Sequence, residues 1–66
     1  MMNMLVDDKL FLEYYKEKFL SFLREETEER TKKFWCCINI LECGKTLNLV
    51  NEETYKQLKN EIISFY

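Results

Sequence analysis

Sixty-six residues carrying twelve acidic and ten basic side chains, no histidine and a net charge of −2 make one small domain. That balance lacks the basic stripe that duplex nucleic acid requires, and the missing histidine removes the commonest general base. A chain this short stands near the lower limit for folding without disulfides, metal or oligomerisation, yet it is 47% hydrophobic and 15% aromatic. Five Phe, four Tyr and one Trp, each ring burying about 150–250 Å², exceed what so small a shell covers. Some are therefore expected at the surface, as a contact patch for a partner or a second copy.

The start, MMNMLVDDKLF, lacks the basic region and apolar core of a secretory signal. No uninterrupted apolar run approaches the roughly 18 residues of a membrane span. Three cysteines cannot all pair within one chain. Reduced thiols and a cytoplasmic location, in a bacterial host, are the expectation.

The first predicted element is a helix over about 8–24, where Leu12, Tyr15, Phe19 and Phe22 recur at spacings of 3, 4 and 3. Phe11, Leu20 and Leu23 widen this stripe, and Glu13, Lys16, Glu17 and Lys18 decorate the other side. Asp7 or Asp8 can cap its start.

Residues 25–33, EETEERTKK, contain no apolar side chain. Either the helix breaks near Thr27, with Thr27 as cap and Glu28 and Glu29 in the next first turn, or one helix continues from 8 to 43. The continuous rod would span about 54 Å and would demand an intertwined dimer. The break is preferred.

Residues 34–41, FWCCINIL, hold seven apolar residues in eight. A strand pairing with 46–50 is geometrically open. A helix over about 28–46 accounts for more, because Phe34, Cys37, Ile38 and Leu41 fall on one arc that Gly44 continues, with Trp35 and Ile40 on its flanks. Such a helix is buried on more than one side. Gly44 costs about 1 kcal/mol relative to alanine inside a helix, which points to the close approach of a neighbour or to the end of the helix.

Then follows LNLVNEETYKQLKNEIISFY. Asn48 suits a left-handed stop, Asn51 is an N-cap with Glu52 and Glu53 behind it, and Val50 and Tyr55 occupy the positions of a hydrophobic staple. Tyr55, Leu58, Ile62 and Phe65, again spaced 3, 4 and 3, predict a last helix over about 51–65.

Chemistry-bearing motifs are weak. Gly44-Lys45-Thr46 matches only the tail of a phosphate-binding loop, whose first glycine would fall at Asn39. Cys36, Cys37 and Cys43 lack the paired spacing of a zinc site. Cys36 and Cys43 share a helix face while Cys37 points elsewhere, and all three read as small buried hydrophobes. Eight of the twelve acids sit in short solvated runs. No catalytic, metal or cofactor residue is assigned, and no small-molecule substrate is inferred. The Phe-rich face of the first helix sits opposite mixed charges, unlike the Lys/Arg face of interfacial helices.

The segment Leu49-Val50-Asn51-Glu52-Glu53-Thr54-Tyr55-Lys56-Gln57-Leu58 resembles the second half of helical hairpins common in small bacterial and phage proteins. The Lys-, Asn-, Ile- and Glu-rich composition is similar to accessory proteins of low-GC bacteria and their phages. That resemblance implies action by binding a larger host protein, as a regulator or inhibitor.

Together these readings predict an all-α fold: a small three-helix bundle, or helical hairpin with an additional amphipathic helix, homodimeric and without catalysis. Trp35, Tyr14 and Tyr66, with Phe11 and Phe22, are the expected interface side chains. The alternative is a DNA-binding regulator using the helix-turn-helix-like segment 44–60, with Asn51, Thr54, Lys56, Gln57 and Lys59 as contacts. Glu52, Glu53 and Glu61 on that helix oppose the phosphate neutralisation such binding needs.

Overall fold

The computed structural model describes residues 7–66. They form three helices, α1 (Lys9–Arg24), α2 (Glu29–Thr46) and α3 (Glu52–Phe65), with no strand among the described residues. The all-α expectation and the break near Thr27 are both found. The strand for 34–41 and the continuous rod over 8–43 are not. Helix α2 is central, packing against α1 and against α3. The Cα radius of gyration is 12.2 Å, against about 11 Å for an average domain of this length, so the bundle is elongated and rich in surface.

The core follows the predicted stripes. Tyr15 and Phe22 of α1, Phe34, Cys37, Ile38 and Leu41 of α2, and Tyr55 and Ile62 of α3 are buried, joined by Val50 before α3. Phe22 lies at 0% exposure, which corrects its expected role as an interface side chain. The stripe of α1 turns it inward, where its ring stands 6.0 Å from that of Phe34. The cysteines also need correction. Only Cys37 is buried, whereas Cys36 and Cys43 are exposed, because the inward arc of α2 leaves positions 36 and 43 on its outer side.

The first reversal lies at residues 25–28. Glu25 leaves α1 with extended backbone (φ −83°, ψ 130°). The N-cap position of α2 is Glu28, whose side chain makes no capping bond. The Thr27 hydroxyl instead accepts from the Glu29 N–H at 3.2 Å, and the Thr27 carbonyl accepts from the Arg30 N–H at 2.9 Å. Lys33 ties the corner down, reaching the Glu25 carboxylate at 3.2 Å and the Ser21 hydroxyl at 2.9 Å. The Thr27 hydroxyl, and then Lys33, hold the Glu25 carboxyl below its ordinary pKa. The corner is therefore fully formed at neutral pH and loses this support as pH falls through the lowered value.

The second reversal is a Schellman motif. Asn48 adopts φ 62°, the Asn48 N–H donates to the Lys45 carbonyl at 3.1 Å, and the Leu49 N–H donates to the Gly44 carbonyl at 2.8 Å. Asn51 then caps α3 through its side chain, accepting from the Thr54 N–H at 2.9 Å. Val50 and Tyr55, the staple pair, are both buried.

The two aspartates divide their work. Asp8 caps α1, accepting from the Phe11 N–H at 2.9 Å. Asp7 reaches across to α3, where its carboxylate accepts from the Asn51 N–H at 2.8 Å, the Asn51 Nδ2 at 3.1 Å and the Thr54 hydroxyl at 2.7 Å. An anion at that helix start also suits the dipole. The Asp8 N–H donates to the Leu49 carbonyl at 2.7 Å, so the start of α1 is fastened to the α2–α3 turn.

Gly44 explains how α1 lies so near. The Phe11 ring rests where a Cβ on residue 44 would stand, and the glycine is buried. Gly44→Ala should destabilise the fold by about 1 kcal/mol, the overlap outweighing the helix-propensity gain. In a Phe11→Ala background the same change should become stabilising. Urea titration of the four variants of this cycle measures both values.

Candidate functional site

Along α2 the inward arc leaves a complementary outer face, and the apolar part of that face forms a groove against α1. The groove has a volume of about 780 Å³ and runs from Thr31 of α2 to Leu47, just past the end of that helix. Cys36, Asn39 and Cys43 line it from α2, and Phe11 and Tyr14 line it from α1. Trp35 and Leu47 are 55% and 64% exposed beside it, and Tyr14 is 50% exposed. Among the described residues Lys32 is its single charged lining residue, paired with Glu29 at 3.4 Å on the solvent side. The groove is thus a concave apolar surface with aromatic rims and small residues along its centre.

The expected interface residues are distributed unevenly. Trp35, Tyr14 and Phe11 gather at this groove. Tyr66 sits elsewhere: its ring stacks on Phe34 at 4.2 Å, and its hydroxyl stands 3.1 Å from that of Thr31. Trp35 meets Phe34 edge-on from another side at 5.2 Å. Arg30 completes this end of the bundle, lying 4.4 Å above the Phe22 ring and donating to the Phe65 carbonyl. Tyr66 thus acts as a half-exposed lid on the core.

The residues of the DNA-binding alternative are mostly engaged within the fold. Asn51 and Thr54 serve Asp7. Lys56 pairs with Glu52 at 3.6 Å, and Lys59 pairs with Glu42 at 3.2 Å while lying 3.1 Å from the Tyr55 hydroxyl. Gln57 is exposed. The Tyr55 hydroxyl donates to Glu42. That bond, and then Lys59, lower the Glu42 pKa, while Tyr55 and then Glu42 raise that of Lys59. This cluster bolts α2 to α3. Its support is complete across neutral pH, fading as acid protonates Glu42 and as alkali deprotonates Lys59.

Two buried groups carry no assigned chemistry. The Tyr15 hydroxyl is buried without a hydrogen-bond partner, and burial drives its pKa well above the ordinary tyrosine value. Cys37 is pushed up to about 11, chiefly by burial. Among the described residues no three Cys, Asp or Glu side chains converge as a metal site, and no helix is long and apolar enough to cross a membrane. Gly44-Lys45-Thr46 forms the last turn of α2, with no preceding strand to make a phosphate loop. The seven-residue spacing of Cys36 and Cys43 placed them on one helix face, but not which way that face turns. Nothing in the pattern foreshadowed the reach of Asp7 to α3.

Comparison with protein-family models, with characterised proteins and with solved structures finds no match for this chain.

Two outcomes follow from the buried groups. In the native protein a disulfide reagent should label Cys36 and Cys43 rapidly and spare Cys37 until denaturant is added. Tyr15→Phe should leave the denaturation midpoint unchanged or raise stability by up to about 1 kcal/mol, since it removes an unpaired buried hydroxyl.

Proposed function

We propose that this chain is a non-catalytic protein-binding regulator or inhibitor that engages its partner through the α1–α2 groove. The observation carrying this reading is the cluster of Trp35, Tyr14 and Leu47, half or more exposed around one apolar groove. Aromatic anchors beside a concave apolar surface are the usual source of binding energy in protein interfaces. Two of these side chains have neighbours within the bundle: Trp35 rests against Phe34, and Tyr14 carries the Lys18 ammonium 5.3 Å from its ring centre. The chain's balanced charge supports contact by shape and burial more than by electrostatic steering.

Homodimerisation and a location in the bacterial cytoplasm belong to the same reading, as does kinship in style with phage accessory proteins. The DNA-binding alternative draws less support, because the lysines of α3 are committed to Glu52 and Glu42 and duplex affinity rests on free phosphate-neutralising charge.

Trp35→Ala should weaken partner binding by at least tenfold while shifting the denaturation midpoint little, since more than half of the side chain is already exposed. Isothermal titration against the partner captured from the native host, with circular dichroism as the folding control, measures both. Unchanged affinity would remove the groove from the binding mechanism.

A further inference from the structure

We propose that the cleft between α1 and α3 binds a free apolar α-amino acid, such as leucine or phenylalanine, as its zwitterion. The cleft lies apart from the α1–α2 groove, and its role stands independently of the protein-binding reading. Both α1 and α3 pack on α2 but meet each other only weakly, so an opening remains between them. Asp7 ties the two helix starts together through Asn51 and Thr54. Toward their other ends the Phe19 ring stands 5.9 Å from that of Phe65. The cavity bracketed by these contacts has a volume of about 360 Å³. That is the small end of the roughly 300–1,000 Å³ of ligand sites and suits a compact ligand with one apolar side chain.

The lining divides into an apolar wall and a charged rim. Leu12, Phe19, Leu20 and Leu58 make the wall, while Lys16 of α1 and Glu61 of α3 stand exposed at the rim. Among the described residues neither rim side chain forms an ion pair or hydrogen bond, with the other or elsewhere. Glu13 and Glu17, the acids nearest Lys16 in sequence, do not line the cleft. Lys59, the lysine nearest Glu61, is committed to Glu42. The rim thus offers one cation and one anion from opposite walls. A ligand with both charges on one carbon matches it: the carboxylate meets Lys16, the ammonium meets Glu61, and the side chain enters the apolar wall. A fatty acid would leave Glu61 unmatched, and an alkylamine would leave Lys16 unmatched.

Tyr15 supplies a third polar group. It lines the same cleft, is only 3% exposed, and holds its hydroxyl without a hydrogen-bond partner. Burial, then Cys37 and Glu61, raise its pKa, so the group stays a donor across physiological pH. Buried donors without acceptors are rare in folded proteins. A carboxylate held beside Lys16 supplies the acceptor that this hydroxyl lacks.

Calorimetric titration of the full chain with L-leucine and L-phenylalanine tests the site, with circular dichroism as the folding control for each variant. Both should bind saturably, and glycine, lacking the apolar part, should bind at least tenfold more weakly. Lys16→Gln and Glu61→Gln should each weaken leucine about tenfold or more without moving the denaturation midpoint. Isocaproate, which is leucine without its ammonium, should respond to Lys16→Gln and not to Glu61→Gln. Tyr15→Phe should weaken leucine while leaving stability unchanged or higher, a split that a purely structural tyrosine would not give. Absence of saturable binding by both amino acids would overturn the site. Glycine or isocaproate binding as tightly as leucine would overturn the apolar zwitterion as its ligand. Unchanged leucine affinity in either rim variant would overturn the pairing of both charges across the α1–α3 cleft.

Discussion

Everything in this bundle hangs on the two-sided burial of α2. A helix with one apolar face can be covered by one neighbour, but Phe34, Cys37, Ile38, Leu41 and Gly44 spread their arc wide enough to demand two. Helix α1 and helix α3 supply those walls, and each is amphipathic enough to serve as a wall but not to stand alone. The corner at residues 25–28 and the Schellman turn after Gly44 reverse the chain so that both walls reach the same helix. Gly44 permits the closest of these contacts by leaving its Cβ position to the Phe11 ring.

The same constraint produces the surface. Three helices of this length enclose a thin core, with Phe22, Leu41, Ile62 and Cys37 as its most completely buried side chains among the described residues. Trp35, Leu47 and Tyr66 are among the large apolar side chains left exposed. On the side of α2 that neither wall covers, Trp35, Cys36 and Cys43 stay in contact with water, and α1 contributes Tyr14. The groove is what remains of a helix too apolar for the number of helices available to cover it. A further helix from outside, packed by the same ridge-and-groove rules as α1 and α3, would complete the pattern.

Polar groups secure the frame away from this groove. Asp7 joins the start of α1 to the start of α3, Lys33 joins α2 to the end of α1, and the Glu42–Tyr55–Lys59 cluster joins α2 to α3. Their placement leaves the lining of the groove almost free of charge, with Lys32 at its margin.

Apolar spacing that matches one face of a 3.6-residue turn made α1 and α3 legible, with caps at Asp8, Asn48 and Asn51 set by local geometry, whereas the strand for 34–41 and the rod over 8–43 were excluded only by the fold. The buried arc of α2, the staple of Val50 and Tyr55 and the tight approach at Gly44 were legible for the same reason. Which aromatics remain outside was not, since that depends on how many walls surround each helix. Phe22 lies within the stripe of α1 and is fully buried, whereas Trp35, on the flank of the α2 arc, is left 55% exposed. The thiols divided by the same rule, Cys37 inward and Cys36 and Cys43 outward. Asp7 found its partners on α3 only once the chain had folded back, as a contact across more than forty residues leaves no mark on local pattern. The groove, too, belongs to the tertiary structure: α1 and α2 line it together, and neither helix forms it alone.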